Sequence, residues 1–127
     1  MTRPARLALV AAAALVLAAV PTAANAHDDE VRTSGSCSMS ADWEVRARSD
    51  DDNRIELRAE IDHTRSGQLW AWKIKHNGSV SASGRAVTRG GQLEVERALV
   101  DLAGVDRCTF RAVRIKTGEV CRGTVDW

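Results

Sequence analysis

The chain has 127 residues, with 18 Lys and Arg against 17 Asp and Glu for a formal net charge of +1. A balance this close to neutral argues against a nucleic-acid binder and against a polybasic membrane ligand. The length allows one domain of ordinary size behind a targeting segment.

The N-terminus supplies such a segment. Arg3 and Arg6 precede an uninterrupted apolar run from Leu7 to Val20, followed by Pro21-Thr22-Ala23-Ala24-Asn25-Ala26. A short basic region, an apolar stretch of this length and an Ala24-x-Ala26 ending describe a cleaved secretory signal peptide over 1–26. The run is shorter than the about 20 apolar residues of a membrane helix, and no second apolar stretch follows. The mature form is therefore expected to be secreted, without a membrane span. Cleavage after Ala26 leaves 27–127, and the loss of Arg3 and Arg6 takes the net charge to −1.

From His27 to Ser36 the chain is polar and without periodicity, which reads as a flexible N-terminal arm. From Cys37 the odd positions turn apolar (Met39, Ala41, Trp43, Val45, Ala47) and the even ones polar, the pattern of a half-buried strand. Asp50-Asp51-Asp52-Asn53 is a turn cluster. Ile55, Leu57, Ala59 and Ile61 then share one face of the next strand, with Glu56, Arg58, Glu60 and Asp62 opposite. Trp70, Trp72 and Ile74 alternate with Ala71, Lys73 and Lys75, and after His76-Asn77-Gly78 the residues Val80, Ala82, Gly84 and Ala86 alternate with Ser81, Ser83 and Arg85. Alternation on both sides of Asn-Gly is a hairpin signature. Leu93, Val95 and Leu99 mark a further strand, 101–106 a corner loop, and two last strands flank Lys116-Thr117-Gly118-Glu119. No proline falls within the strands. About seven short strands and no helical period predict an all-β domain over 37–127, a single antiparallel β-sandwich of immunoglobulin-like type, with a small closed barrel as the alternative.

Residues opposite one another in a hairpin must share a face. A two-residue Asn77-Gly78 loop would oppose Ile74 to Ser81. A three-residue loop of His76, Asn77 and Gly78 pairs Ile74 with Val80, Trp72 with Ala82 and Trp70 with Gly84, and is the expected register, closed by a glycine bulge. The same test on the last hairpin pairs Ile115 with Val120, Ala112 with Gly123 and Cys108 with Trp127. It places Cys108, Phe110, Ala112, Val125 and Trp127 on the core face.

Three cysteines in an exported protein point to one disulfide and one leftover thiol. In that register Cys108 and Cys121 lie roughly 20 Å apart along the ladder, beyond disulfide reach. Cys37 is then a partner in any bridge. Cys121 is the favoured second partner, tying the first strand to the last, and Cys108 is the alternative. A leftover Cys108 reads as a buried core thiol rather than a nucleophile.

Catalytic constellations are missing from the pattern. Asp62 and His63 lack a glycine-framed serine, and the Glu56/Glu60 and Glu94/Glu96 pairs alternate outward as solvated faces. The Asp50–Asn53 cluster lacks the spacing of a calcium loop. Asn77-Gly78-Ser79 matches a glycosylation sequon but reads as a turn. His27, as the mature N-terminus, would offer an amine and an imidazole to copper; His63 and His76 fall in a loop and a turn with no ligand motif. A copper protein is thus an alternative resting on His27, and neither a metal site nor a cofactor is expected. Trp70 and Trp72 suggest a second alternative, a carbohydrate-binding module that stacks sugars, although sharing a face with Ile74 assigns them to the core.

Cys37-Ser38 followed by Trp43, Arg54-Ile55-Glu56, Gly67-Gln68 with Trp70, Asn77-Gly78, and Thr117-Gly118-Glu119 with Cys121 together resemble a set of small secreted actinobacterial proteins of unknown function. The resemblance covers nearly all of 27–127. It implies an all-β exported domain with a Cys37–Cys121 pair, and it implies no activity. The sequence thus predicts a secreted, monomeric, non-enzymatic binding or cell-envelope-associated module with a protein or glycan partner and no nucleic-acid ligand.

Overall fold

A computed structural model describes residues 30–127 of the chain. The expected signal peptide over 1–26 and His27 lie outside the described residues. Eight strands follow in order: β1 (Glu30–Ser36), β2 (Asp42–Asp50), β3 (Arg54–Asp62), β4 (Leu69–His76), β5 (Ser79–Val87), β6 (Leu93–Val100), β7 (Arg107–Arg114) and β8 (Val120–Asp126). They form two four-stranded antiparallel sheets, ordered β1-β2-β3-β6 and β5-β4-β7-β8. The chain is a β-sandwich, as the alternation predicted.

The period-2 pattern explains the packing. Val45, Ala47, Ile55, Leu57, Ala59, Ile61, Leu93, Val95 and Leu99 line the inner face of one sheet, and Trp70, Trp72, Ile74, Cys108, Phe110, Ala112, Cys121 and Val125 line the other. Trp70, the largest of the fully buried side chains, and Phe110 have no exposed surface. At about 25 cal/mol per Å² of apolar area, burying each such aromatic stabilises the fold by several kcal/mol.

The first correction concerns the arm expected over 27–36. Glu30–Ser36 is a strand, paired with β2 from Glu30↔Arg48 to Ser36↔Asp42. It shows no hydrophobic period because it is an edge strand with polar residues on both faces, and edge strands carry charge to block further pairing. The strand expected to begin at Cys37 begins at Asp42 instead. Residues 37–41 are a connection in which Met39 lies exposed and Ala41 buried. The Glu119 carboxylate, itself buried, organises that connection by accepting hydrogen bonds from the N–H groups of Met39 (3.1 Å) and Ala41 (2.9 Å).

The central hairpin corrects the second expectation. His76 pairs with Ser79, so the loop is the two-residue Asn77-Gly78, with φ of 49° and 85°. Positive φ at both positions is the primed turn whose twist suits a hairpin. The face conflict that disfavoured this loop is resolved one step later. Lys75 pairs with Val80 but Ile74 with Ala82, so Ser81 is a bulged extra residue that moves β5 back into phase. Val80, expected in the core, is 55% exposed. Trp72, not Trp70, lies opposite Gly84. In the last hairpin Val113 pairs with Val120, two residues away from the expected register. A slip of two keeps every side chain on its face, so Cys108, Phe110, Ala112 and Val125 are still core.

Trp43 fills a slot made by two glycines. A Cβ on Gly35 would lie 2.8 Å from Trp43 Cζ2, and one on Gly123 would lie 2.5 Å from Trp43 Cε3. At the opposite side of the sandwich, Arg97 of edge strand β6 lays its guanidinium over Trp72, 4.9 Å from the ring centroid. An inward-facing cation on an aromatic face closes that edge with its charge satisfied.

Candidate functional site

The outer face of the β5-β4-β7-β8 sheet is set by the same alternation that builds the core. Because Trp70, Trp72 and Ile74 point inward, Ala71, Lys73 and Lys75 point outward. Thr109, Arg111 and Val113 do so on β7, and Arg122 and Thr124 on β8. Register then puts Ser83, Lys73, Arg111 and Arg122 in one row across all four strands. Three of the four are cations on adjacent strands, spaced about 4.8 Å backbone to backbone. The row on one side is Val80, Lys75, Thr109 and Thr124; the row on the other is Arg85, Ala71, Val113 and Val120. Neither supplies a carboxylate. Among the described residues, Lys73, Lys75, Arg85, Arg111 and Arg122 are in no ion pair. At the rim Arg107 is held by Asp126, Nε to Oδ1 at 2.9 Å.

The outer face of the other sheet shows what compensation looks like in the same molecule. There Arg32, Arg46 and Arg58 also stand in one row across β1, β2 and β3. That row is flanked by Glu44, Glu60 and Glu94 in the next row and bounded by Glu96 at its end. Arg46 meets Glu44 at 3.2 Å, and Arg58 meets Glu94 and Glu96 at 3.5 Å each. Arg48 hydrogen-bonds Glu56 at 2.8 Å, which holds that carboxyl below its usual range. Partial burial, with Asp62, Glu94 and Glu44 nearby, pushes Glu60 up. Like charges placed directly across a sheet destabilise it unless something intervenes. One face intervenes with its own carboxylates; the other does not.

A depression of about 630 Å³ lies on the cationic face. Ala71, Thr109 and Val113 are among its short-chain lining, and Lys73, Lys75, Arg107, Arg111 and Arg122 contribute its charge. The Thr109 and Thr124 hydroxyls contact each other at 3.1 Å on the same face. Comparison with protein-family models, curated proteins and solved structures finds no match. The functional reading therefore rests on the residues themselves.

The residues singled out in the sequence fall elsewhere. Cys37 and Cys121 are joined as a disulfide, and Cys108 is free and buried. Burial pushes the Cys108 thiol up to about 11, helped by the charges of Asp106 and Asp126. Trp70 and Trp72 lie under the sheet, the latter only 7% exposed, so they offer no stacking platform. His63 and His76 are not brought together. His63 Nδ1 meets Asp42 Oδ2 at 2.7 Å. His76, expected in the turn, ends β4, and its Nε2 meets Asp106 Oδ1 at 2.7 Å.

Asp106 is fully buried and ties the hairpin tip to the corner loop. It accepts from Asn77 Nδ2 at 3.3 Å and from the Leu102 N–H at 3.1 Å. Burial alone would raise its carboxyl, but the hydrogen bonds from His76 and the Leu102 N–H hold it below the usual carboxylate range. Among the described residues no cluster of three or more His, Cys, Asp and Glu side chains is arranged to hold a metal ion. Among the described residues no helix is long and apolar enough to cross a membrane.

Sequence reasoning missed the cationic face because a net charge of −1 averages over both sheets. Summing charge by strand parity would have found it. The outward positions of β4, β7 and β8 read Lys73, Lys75, Arg107, Arg111 and Arg122 against one Asp126.

Proposed function

We propose that this chain is a small exported binding module, without catalytic activity, that takes an anionic ligand on the outer face of its β5-β4-β7-β8 sheet. The observation that carries the reading is the row Lys73, Arg111 and Arg122, in direct register and without a carboxylate. The face has a ligand-sized depression. The ionisable pair Asp106–His76 is used to hold a loop to a hairpin.

Export is supported by the N-terminal pattern of 1–26 and by the Cys37–Cys121 bridge, which persists in oxidising compartments. The kinship proposed is with the secreted actinobacterial proteins whose motif order the chain resembles. The immunoglobulin-like description is supported by strand order. Setting β1 aside, β2-β3-β6 correspond to A-B-E and β4-β7-β8 to C-F-G of that fold, with β5 paired to β4 rather than to β6.

The test is co-sedimentation of the purified protein with isolated bacterial cell-envelope material. Wild type should sediment with it, and a Lys73→Glu/Arg111→Glu/Arg122→Glu variant with an unchanged circular dichroism spectrum should stay in solution. Equal sedimentation of the two proteins, or none by wild type, refutes the reading.

A further inference from the structure

We infer that the ligand of this face is an acidic polysaccharide, a chain of carboxylate-bearing sugar units lying across strands β4, β7 and β8. The inference rests on the anion-binding reading above and adds the chemical class of the ligand.

Three observations narrow the choice. The first is that charge on the face comes in one direction and polarity in another. Across the strands Lys73, Arg111 and Arg122 present a cation at each step, about 4.8 Å apart. One row further along the strands, Thr109 and Thr124 put hydroxyls beside Lys75. A bare polyphosphate asks for cations and nothing else. A polymer bearing one carboxylate and several hydroxyls per unit uses the cation row and the hydroxyl row together. Arginine's planar fork pairs with carboxylate oxygens in a bidentate way, and two of the three cations in the row are arginines.

The second observation is the missing platform. Neutral glycans and single-stranded nucleic acids are held largely by aromatic faces on which rings and bases stack. Trp70 is fully buried, and Trp72, although it contributes to the lining of the depression, is only 7% exposed, so the accessible floor is chiefly Ala71, Thr109 and Val113. Recognition here works through charge and hydrogen bonds.

The third is that a second copy of the chain is a poor occupant. Of the carboxylates it would bring on its other outer face, Glu44, Glu56, Glu94 and Glu96 are already engaged by Arg46, Arg48 and Arg58. That leaves chiefly Glu60 and Asp62 of β3 to face the unpaired cations Lys73, Lys75, Arg85, Arg111 and Arg122. The cationic row has no such partner and is open to a ligand from outside.

The experiment is titration calorimetry at low ionic strength with polygalacturonate as the probe. Its fully methyl-esterified form, inorganic polyphosphate, duplex DNA and a neutral glucan are parallel arms. Polygalacturonate should bind and the esterified polymer, with the same backbone and no charge, should not. Affinity should fall linearly in log–log terms with added salt. Arg111→Ala should weaken binding at least about ten-fold and lower the salt slope by about one unit.

Binding of polyphosphate or DNA but not of polygalacturonate, abolished by Lys73→Glu/Arg111→Glu/Arg122→Glu, overturns the polysaccharide assignment and leaves the anion-binding face standing. Binding of the esterified polymer or the glucan equal to that of polygalacturonate also overturns it. If no polyanion binds, or if the triple variant binds as wild type does, both readings fall together. Salt-sensitive self-association in place of ligand binding, seen by sedimentation velocity, would assign the face to a second copy and overturn the inference.

Discussion

Replacing Gly123 with alanine probes the tightest contact in the sandwich. The new methyl would stand 2.5 Å from Trp43 Cε3, and closer still to Cζ3. Relaxed carbon contacts are about 3.5–4.0 Å, so the indole must move by about 1 Å. It has little room to do so, because a Cβ position on Gly35 already lies 2.8 Å from Trp43 Cζ2. Overpacking of this kind costs about 1–3 kcal/mol. Removing a glycine returns about 0.4–1 kcal/mol by restricting the unfolded chain. A net loss of about 1.3 kcal/mol is expected, which in a domain of this size lowers Tm by roughly 5–10 °C. The assay is thermal unfolding by circular dichroism, for Gly123→Ala alone and in a Trp43→Ala background. In that background the ring is gone, so the alanine should be neutral or mildly stabilising. A melt within about 2 °C of wild type, or an equal loss in both backgrounds, would refute the account of the Trp43 slot.

Four further outcomes follow from the same geometry. The Cys37–Cys121 bridge spans 84 residues of sequence, so the double alanine variant should lose about 4.5 kcal/mol in urea unfolding if the bridge acts through chain entropy; a loss under about 1 kcal/mol would count against that mechanism. Cys108 should resist a thiol reagent at pH 8 in the folded protein and titrate as a single thiol in denaturant without reductant, and rapid native labelling would contradict its burial. Asp106 has a depressed carboxyl, so its contribution is present above the unfolded value near 3.9 and is lost as pH falls through the lower folded value. The stability gap between wild type and Asp106→Asn should accordingly hold from pH 7 to about pH 4 and narrow below it, and a gap that widens on acidification would show the sign to be wrong. Finally, Arg111→Thr should raise unfolding stability by about 0.2–1 kcal/mol by relieving the like-charge row, while weakening polyanion binding; a loss of stability would mean that the row is not repulsive.

What was legible in the chain was parity. Ile55, Leu57, Ala59 and Ile61 announced which face of β3 was core, and the same held for Trp70, Trp72 and Ile74. Register was less legible, for a physical reason. The sequence showed that β5 must change phase after Asn77-Gly78 but not where, and a bulge at Ser81 does the work assigned to a longer loop. The two-residue slip between β7 and β8 left no trace because it conserves faces. Strand β1 was invisible because an edge strand with polar residues on both faces has no hydrophobic period. The order of strands, with β6 returning to β3 and β7 to β4, depends on contacts far apart in the chain that no local pattern encodes. The cationic face is written in the outward residues, but alternation of polar with apolar positions does not report the sign of their charge. Glu119 gave only the signal of a lone acid in a turn, and its two backbone partners are some 80 residues away.

The Cys37–Cys121 link also determines how the molecule would answer to mechanical load. A protein attached at one end and pulled at the other passes force along its backbone. Here the covalent link carries tension from the connection between β1 and β2 directly to β8, so the chain between the two cysteines, a sequence separation of 84, is removed from the load path. At about 3.5 Å per extended residue, roughly 290 Å of chain is thereby kept from stretching. Among the described residues, those before Cys37 and those after Cys121 are the ones that can extend under force. The cationic rows on β4 and β7 would keep their spacing while the ends were being pulled.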